Sequence, residues 1–74
     1  MPPLPVISGA EAVRAFERAC WTVARRESSH IILTKKGVAA NLSVPNHRTL
    51  DRGLLRALIR ASGLSVEEFT QHLD

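Results

Sequence analysis

Apolar and polar positions alternate with two different periods along this chain. From Ala12 to Cys20 the apolar residues Ala12, Val13, Phe16, Ala19 and Cys20 recur at helical spacing, with Glu11, Arg14, Glu17 and Arg18 on the polar side. Ser8-Gly9-Ala10-Glu11 precedes them and matches a capping box, so a helix is predicted from about 9 to 19. Upstream, the prolines at 2, 3 and 5 favour extended backbone over residues 1–7.

The period then shortens to two. Trp21 to Arg26 reads as a strand, with Trp21, Val23 and Arg25 on one face and Thr22, Ala24 and Arg26 on the other. Glu27-Ser28-Ser29 is a polar turn. His30 to about Lys35 is a second strand, rich in β-branched residues, with Ile31 and Leu33 pointing one way and His30, Ile32 and Thr34 the other. Lys36-Gly37 signals a tight turn in which Gly37 takes positive φ at little cost. Val38 to Val44 is a third strand with Ala40, Leu42 and Val44 on one face, and Pro45 ends it.

Helical spacing returns after a loop at Asn46 to Leu50. A helix from about Asp51 to Ser62 carries Leu54, Leu55, Leu58 and Ile59 as its apolar stripe, with Gly63 as its C-terminal cap. Arg52, Arg56 and Arg60 stand one turn apart on a separate face. Ser65-Val66-Glu67-Glu68 is a second capping box and opens a short helix to about Leu73, with Val66 and Phe69 inward. Each helix offers one apolar face and the strands offer another. The expected fold is a two-layer α+β sandwich of order α-β-β-β-α with a short C-terminal helix. That is also the order of the double-stranded RNA-binding fold. One domain over 1–74 is expected, because a chain this short buries only about 60–65% of its unfolded surface.

Charge sharpens the picture. The net charge is +3, but residues 25–60 hold eight Lys and Arg against two acidic residues, while the ends are acidic. A basic middle suits phosphates or an acidic protein partner; the bland alternative is a solvated surface. A single cysteine excludes an internal disulfide and a multi-cysteine metal site. Its place on the helical stripe makes Cys20 a small core residue rather than a reactive thiol. No apolar run is long enough to span a membrane, and Met1-Pro2-Pro3-Leu4-Pro5 lacks the regions of a signal peptide. A reducing, cytoplasmic compartment fits.

The candidate chemistry centres on His30, where a loop meets a strand. A histidine there can move protons, and RNA carries its own nucleophile in the ribose 2′-hydroxyl. Cutting RNA then needs only an oriented backbone, proton transfer and cations against the phosphorane. Arg25, Arg26, Lys35 and Lys36 are candidate cations on the neighbouring strands. On pattern alone, a lone histidine at a strand edge is more commonly a surface or packing residue. His47, beside Arg48, reads as a second proton-transfer group, a phosphate contact or a loop hydrogen bond. His72 near the end of the chain has no assigned role, and Trp21 reads as a packing residue. No metal-ligand spacing, Gly-rich phosphate loop or nucleophile elbow is present, so no cofactor is expected.

These residues together resemble a known family. Ser8-Gly9, Arg25-Arg26, Ser29-His30-Ile31, Leu42-Ser43-Val44-Pro45-Asn46-His47-Arg48, Arg52-Gly53 and Leu64-Ser65-Val66-Glu67-Glu68-Phe69 look like the HicA (YcfA-like) mRNA interferase toxins. The resemblance covers nearly the whole chain in order. It implies a double-stranded RNA-binding-like fold, ribosome-independent cleavage of mRNA, and a toxin role in a type II toxin–antitoxin pair. It implies a HicB-type antitoxin whose small domain covers the basic face and blocks His30. The family's Gly-Ser-His motif maps onto Ser28-Ser29-His30, giving His30 the catalytic role, and its Pro-x-His maps onto Pro45-Asn46-His47. Two departures stand out: Ser28 replaces the motif glycine, and Cys20 stands where a glycine usually closes the first helix. If the motif glycine needs positive φ, Ser28 adds strain.

The candidate RNA-binding residues are Arg25, Arg26, Ser29, Lys35, Lys36, Arg48, Arg52, Arg56 and Arg60. Two other readings remain open on the residues alone. One is a non-catalytic RNA-binding module that uses the arginine row on phosphates. The other is a protein-interaction domain whose basic face docks an acidic partner.

Overall fold

The computed structural model describes residues 4–73; the prolines at 2 and 3 lie outside them. The elements run α1 (Gly9–Arg18), β1 (Thr22–Glu27), β2 (His30–Lys35), β3 (Val38–Pro45), α2 (Arg52–Ser62) and α3 (Val66–Gln71). The strands form one antiparallel sheet in the order β1-β2-β3. This is the expected α+β, double-stranded RNA-binding-like order.

Local chemistry sets the helix ends. Ser8 and Glu11 close the capping box of α1, and Ser65 and Glu68 close that of α3. The Asp51 carboxylate accepts the Leu54 amide at 3.0 Å and caps α2, and Gly63 ends it at φ 83°. Gly37 turns the β2–β3 hairpin at φ 84°.

The core lies between one face of the sheet and the helices. Ile31, Leu33, Leu42 and Val44 from the strands meet Ala12, Val13, Phe16, Leu55, Leu58, Ile59 and Phe69. The rings of Phe16 and Phe69 sit 5.0 Å apart and tilted, locking α3 onto α1. Leu4 and Ile7 from the lead-in are buried in the same cluster, as is Trp21. Among the described residues, no helix covers the opposite face of the sheet.

Four details differ from the sequence expectation. Cys20 is exposed, not a core residue. The α-helix stops at Arg18 and Cys20 takes φ 75°, so the helical phase no longer carries its side chain to the buried stripe. Leu54 is 37% exposed, leaving Leu55, Leu58 and Ile59 to carry the α2 contact. In β1 the pairing passes from Val23↔Leu33 to Arg25↔Ile32, so Ala24 is an extra, bulged residue. A one-residue insertion reverses every later side chain. Arg25 therefore shares the open face with Ile32, and Arg26 shares the helix-side face with Ile31, the reverse of strict alternation. In β3 a similar irregularity separates Leu42 from Val38, and Ala40 is exposed rather than inward.

Candidate functional site

His30 is the first residue of β2, directly opposite Glu27 of β1 and Pro45 of β3. Ile31 and Leu33 are buried in the core, so alternation puts His30 on the uncovered face. The residue pair next along the sheet is Arg25 and Ser43, flanking Ile32. Ile32 is buried although it lies outside the main core cluster, and it makes an apolar floor beside His30. On this face Arg25 Nε donates to Glu27 Oε2 at 2.7 Å, and both side chains are exposed. An ion pair so open to solvent adds little stability; its effect is to fix orientation.

Backbone hydrogen bonds bring a second loop to the same end of the sheet. The Asn46 amide donates to the Ser29 carbonyl oxygen at 2.6 Å, joining the β1–β2 turn to the loop after β3. The Gly9 amide donates to the His47 carbonyl oxygen at 2.8 Å, and the Leu50 amide donates to that of Ile7 at 2.8 Å. A Cβ on Gly9 would collide with the Pro45 carbonyl oxygen, so only glycine lets α1 start so close to this loop. Ser29, His30, Asn46 and His47 thus form one exposed polar rim around the buried Pro45.

The turn that presents His30 is strained. Ser28 has φ 53°, the left-handed region that favours glycine. With Cys20 at φ 75°, β1 is bracketed by two non-glycine residues in that region.

The other sequence candidates are distributed over the surface. Arg25 and Ser29 adjoin His30, Arg26 lies on β1 but faces the other way, and Arg48 is exposed in the loop beside His47. Lys35 ends β2, about 17 Å along the strand from His30, and Lys36 lies in the turn beyond it. Arg52, Arg56 and Arg60 are exposed on α2, in the helical layer, where Arg56 and Arg60 border a shallow cleft with Ile59, Leu64 and Val66. The structure therefore gathers Arg25, Ser29, His30, His47 and Arg48 at one end. It sets the lysines and the α2 arginines apart from them.

Glu27, which reads in the sequence as part of a polar turn, is a member of this site that pattern alone does not single out. A signal for it exists: two residues separated by a two-residue turn between strands become direct cross-strand neighbours. Among the described residues, no three His, Cys, Asp or Glu side chains cluster as a metal site requires.

The family described as HicA toxin of bacterial toxin-antitoxin matches residues 9–64. The chain belongs to the HicA toxin family. No curated protein and no solved structure matches it. The HicA match begins at Gly9, where α1 meets the His47 loop, and ends just after α2, so it encloses the whole rim and leaves α3 outside. As a HicA toxin the chain has an antitoxin for a partner. Among the described residues, no helix is long and apolar enough to cross a membrane.

Proposed function

We propose that this HicA toxin is an endoribonuclease that cleaves mRNA in the cytoplasm without a metal ion, with His30 as its general acid–base group. A HicB-type antitoxin silences it by covering the rim. The observation that carries this reading is the placement of His30. It stands exposed on the bare face of the sheet, at a strand start tied by the Ser29–Asn46 hydrogen bond to the loop that bears His47.

A flat, uncovered face suits a polymer that must lie across it. The ribose 2′-hydroxyl attacks the adjacent phosphorus, and an imidazole moves a proton at the entering or the leaving oxygen. Arg25 is the nearest cation on that face and would meet the charge developing on the phosphorane oxygens. His47 and Arg48 would hold the next phosphate. Positioned proton transfer supplies about 10²–10⁴-fold of rate.

The exposed arginines of α2 favour a second reading, a non-catalytic RNA-binding module. One experiment separates the two. The purified chain and its His30→Ala variant are incubated with a long single-stranded RNA in excess EDTA. The nuclease reading expects cutting by the wild type, and retained binding without cutting by the variant. Binding by both with no cutting by either would leave the RNA-binding module.

A further inference from the structure

Glu27 and His30 are direct cross-strand partners at the end of the β1–β2 hairpin. Their side chains leave the same face of the sheet, with Cβ atoms about 5 Å apart by the geometry of such pairs. Both are exposed, and the Glu27 carboxylate is held by Arg25 Nε at 2.7 Å. A carboxylate and an imidazole at this spacing straddle one phosphodiester. An acidic residue in a surface meant for RNA opposes binding, since it repels phosphate. Beside the histidine and oriented by an arginine, the carboxylate is placed for proton transfer.

We propose that Glu27 is the general base of the cleavage reaction and His30 its general acid. This rests on the nuclease reading above and assigns the two proton transfers within it. The Glu27 carboxylate takes the proton of the ribose 2′-hydroxyl as the 2′-oxygen bonds to phosphorus. The bond from phosphorus to the 5′-oxygen breaks, and the protonated His30 imidazole gives its proton to that leaving oxygen. The products are a 2′,3′-cyclic phosphate and a free 5′-hydroxyl. Solvent then returns the proton from the Glu27 carboxyl to His30, so no co-reactant is needed. Arg25 stays paired with Glu27 on one side and faces the phosphorane oxygens on the other.

The groups facing His30 are few. From β1 these are Arg25 and Glu27; β3 offers Ser43 and Pro45, which do not titrate; the loop beyond offers His47 and Arg48. The competing base is therefore His47. The two transfers need the carboxylate ionised and the imidazole protonated at the same time. The rate of the wild type should accordingly be bell-shaped in pH, with a carboxylate limb on the acid side.

The test measures kcat/KM against pH for the wild type and for Glu27→Gln, Glu27→Asp, His47→Ala and His30→Ala, with RNA affinity read separately. Glu27→Gln should lower kcat/KM by about 10²–10⁴-fold and abolish the acid limb, with RNA bound as well or better. Glu27→Asp, which keeps the carboxylate, should retain the limb at reduced rate and shows that the site still folds. The proposal is overturned if Glu27→Gln keeps the wild-type rate and profile or cuts faster, or if His47→Ala is the variant that removes the acid limb. In those cases loss of cutting in His30→Ala leaves the nuclease reading standing. A wild-type chain that does not cut RNA overturns both.

Discussion

The Gly9 amide donates to the His47 carbonyl oxygen across 2.8 Å, so α1 begins directly against the loop that follows β3. That approach leaves no room for a side chain at Gly9, because a Cβ would run into the Pro45 carbonyl oxygen. Glycine to alanine within an exposed helix normally stabilises by up to about 1 kcal/mol. Here the sign reverses. Gly9→Ala should destabilise the chain by about 1–3 kcal/mol, as overpacking does, and lower Tm by several degrees. Urea denaturation of the variant checks it; a stability at or above that of the wild type would mean that the loop yields freely.

The turn before His30 makes a second expectation. Ser28 at φ 53° has the backbone of a glycine without its freedom. A side chain in that region costs about 1–2 kcal/mol, while glycine gives back about 0.4–1 kcal/mol through the greater freedom of the unfolded chain. Ser28→Gly should therefore stabilise by about 0.5–1 kcal/mol, and Cys20→Gly, relieving φ 75°, by a similar amount. Thermal unfolding of the single and double variants measures both, and the two effects should add because the sites are at opposite ends of β1. No gain in either variant would show that the turns carry no strain.

The path from sequence to site can be followed residue by residue. Helix ends were legible because Ser8, Glu11, Gly63, Ser65 and Glu68 act through neighbours three or four positions away, and such chemistry is local. The faces of β2 were legible because Ile31 and Leu33 sit in a strand without irregularity between them. The bulge at Ala24 was not legible, since nothing in Val-Ala-Arg distinguishes a bulged alanine from a regular one. Missing it reversed the assignment of Arg25 and Arg26. The meeting of His30 with the His47 loop depends on backbone hydrogen bonds from Asn46 to Ser29 and from Gly9 to His47, which composition does not encode. Cys20 was misplaced for a related reason: hydrophobic periodicity has no marker for the residue at which the helix stops.

The short helix α3 carries a pH dependence. Hydrogen bonds from the Ser65 amide first, then from its hydroxyl, hold the Glu68 carboxyl below its ordinary value, with a smaller contribution from His72; burial opposes them weakly. A carboxyl whose pKa is lower folded than unfolded stabilises the fold above the unfolded value. That contribution is lost as pH falls through the folded one. Acidification through the carboxylate range should thus cost the wild type stability that Glu68→Gln does not lose, since glutamine keeps the capping geometry without the titrating group. Parallel melting curves at neutral pH and at about pH 3 should show the gap between the two chains narrowing in acid. A constant gap would sink the assignment.

The arginines of α2 and the rim around His30 lie on different layers of the molecule, and this separation predicts how their effects divide. Arg52, Arg56 and Arg60 are exposed one turn apart on α2, which packs against the helix-side face of the sheet, whereas His30 is on the other face. If RNA reaches both, the arginines act on phosphates away from the reacting bond. Replacing Arg52 and Arg60 by glutamate should then raise KM and flatten its salt dependence by about one unit of slope for each phosphate no longer neutralised. The rate at saturating RNA should stay within about twofold, because interactions made equally in the ground and transition states affect binding alone. Cleavage assays across a salt series give both quantities. A fall in kcat matching that of His30→Ala would place the row at the reacting phosphate. An unchanged KM would instead free that face of α2 from RNA and leave it to the antitoxin.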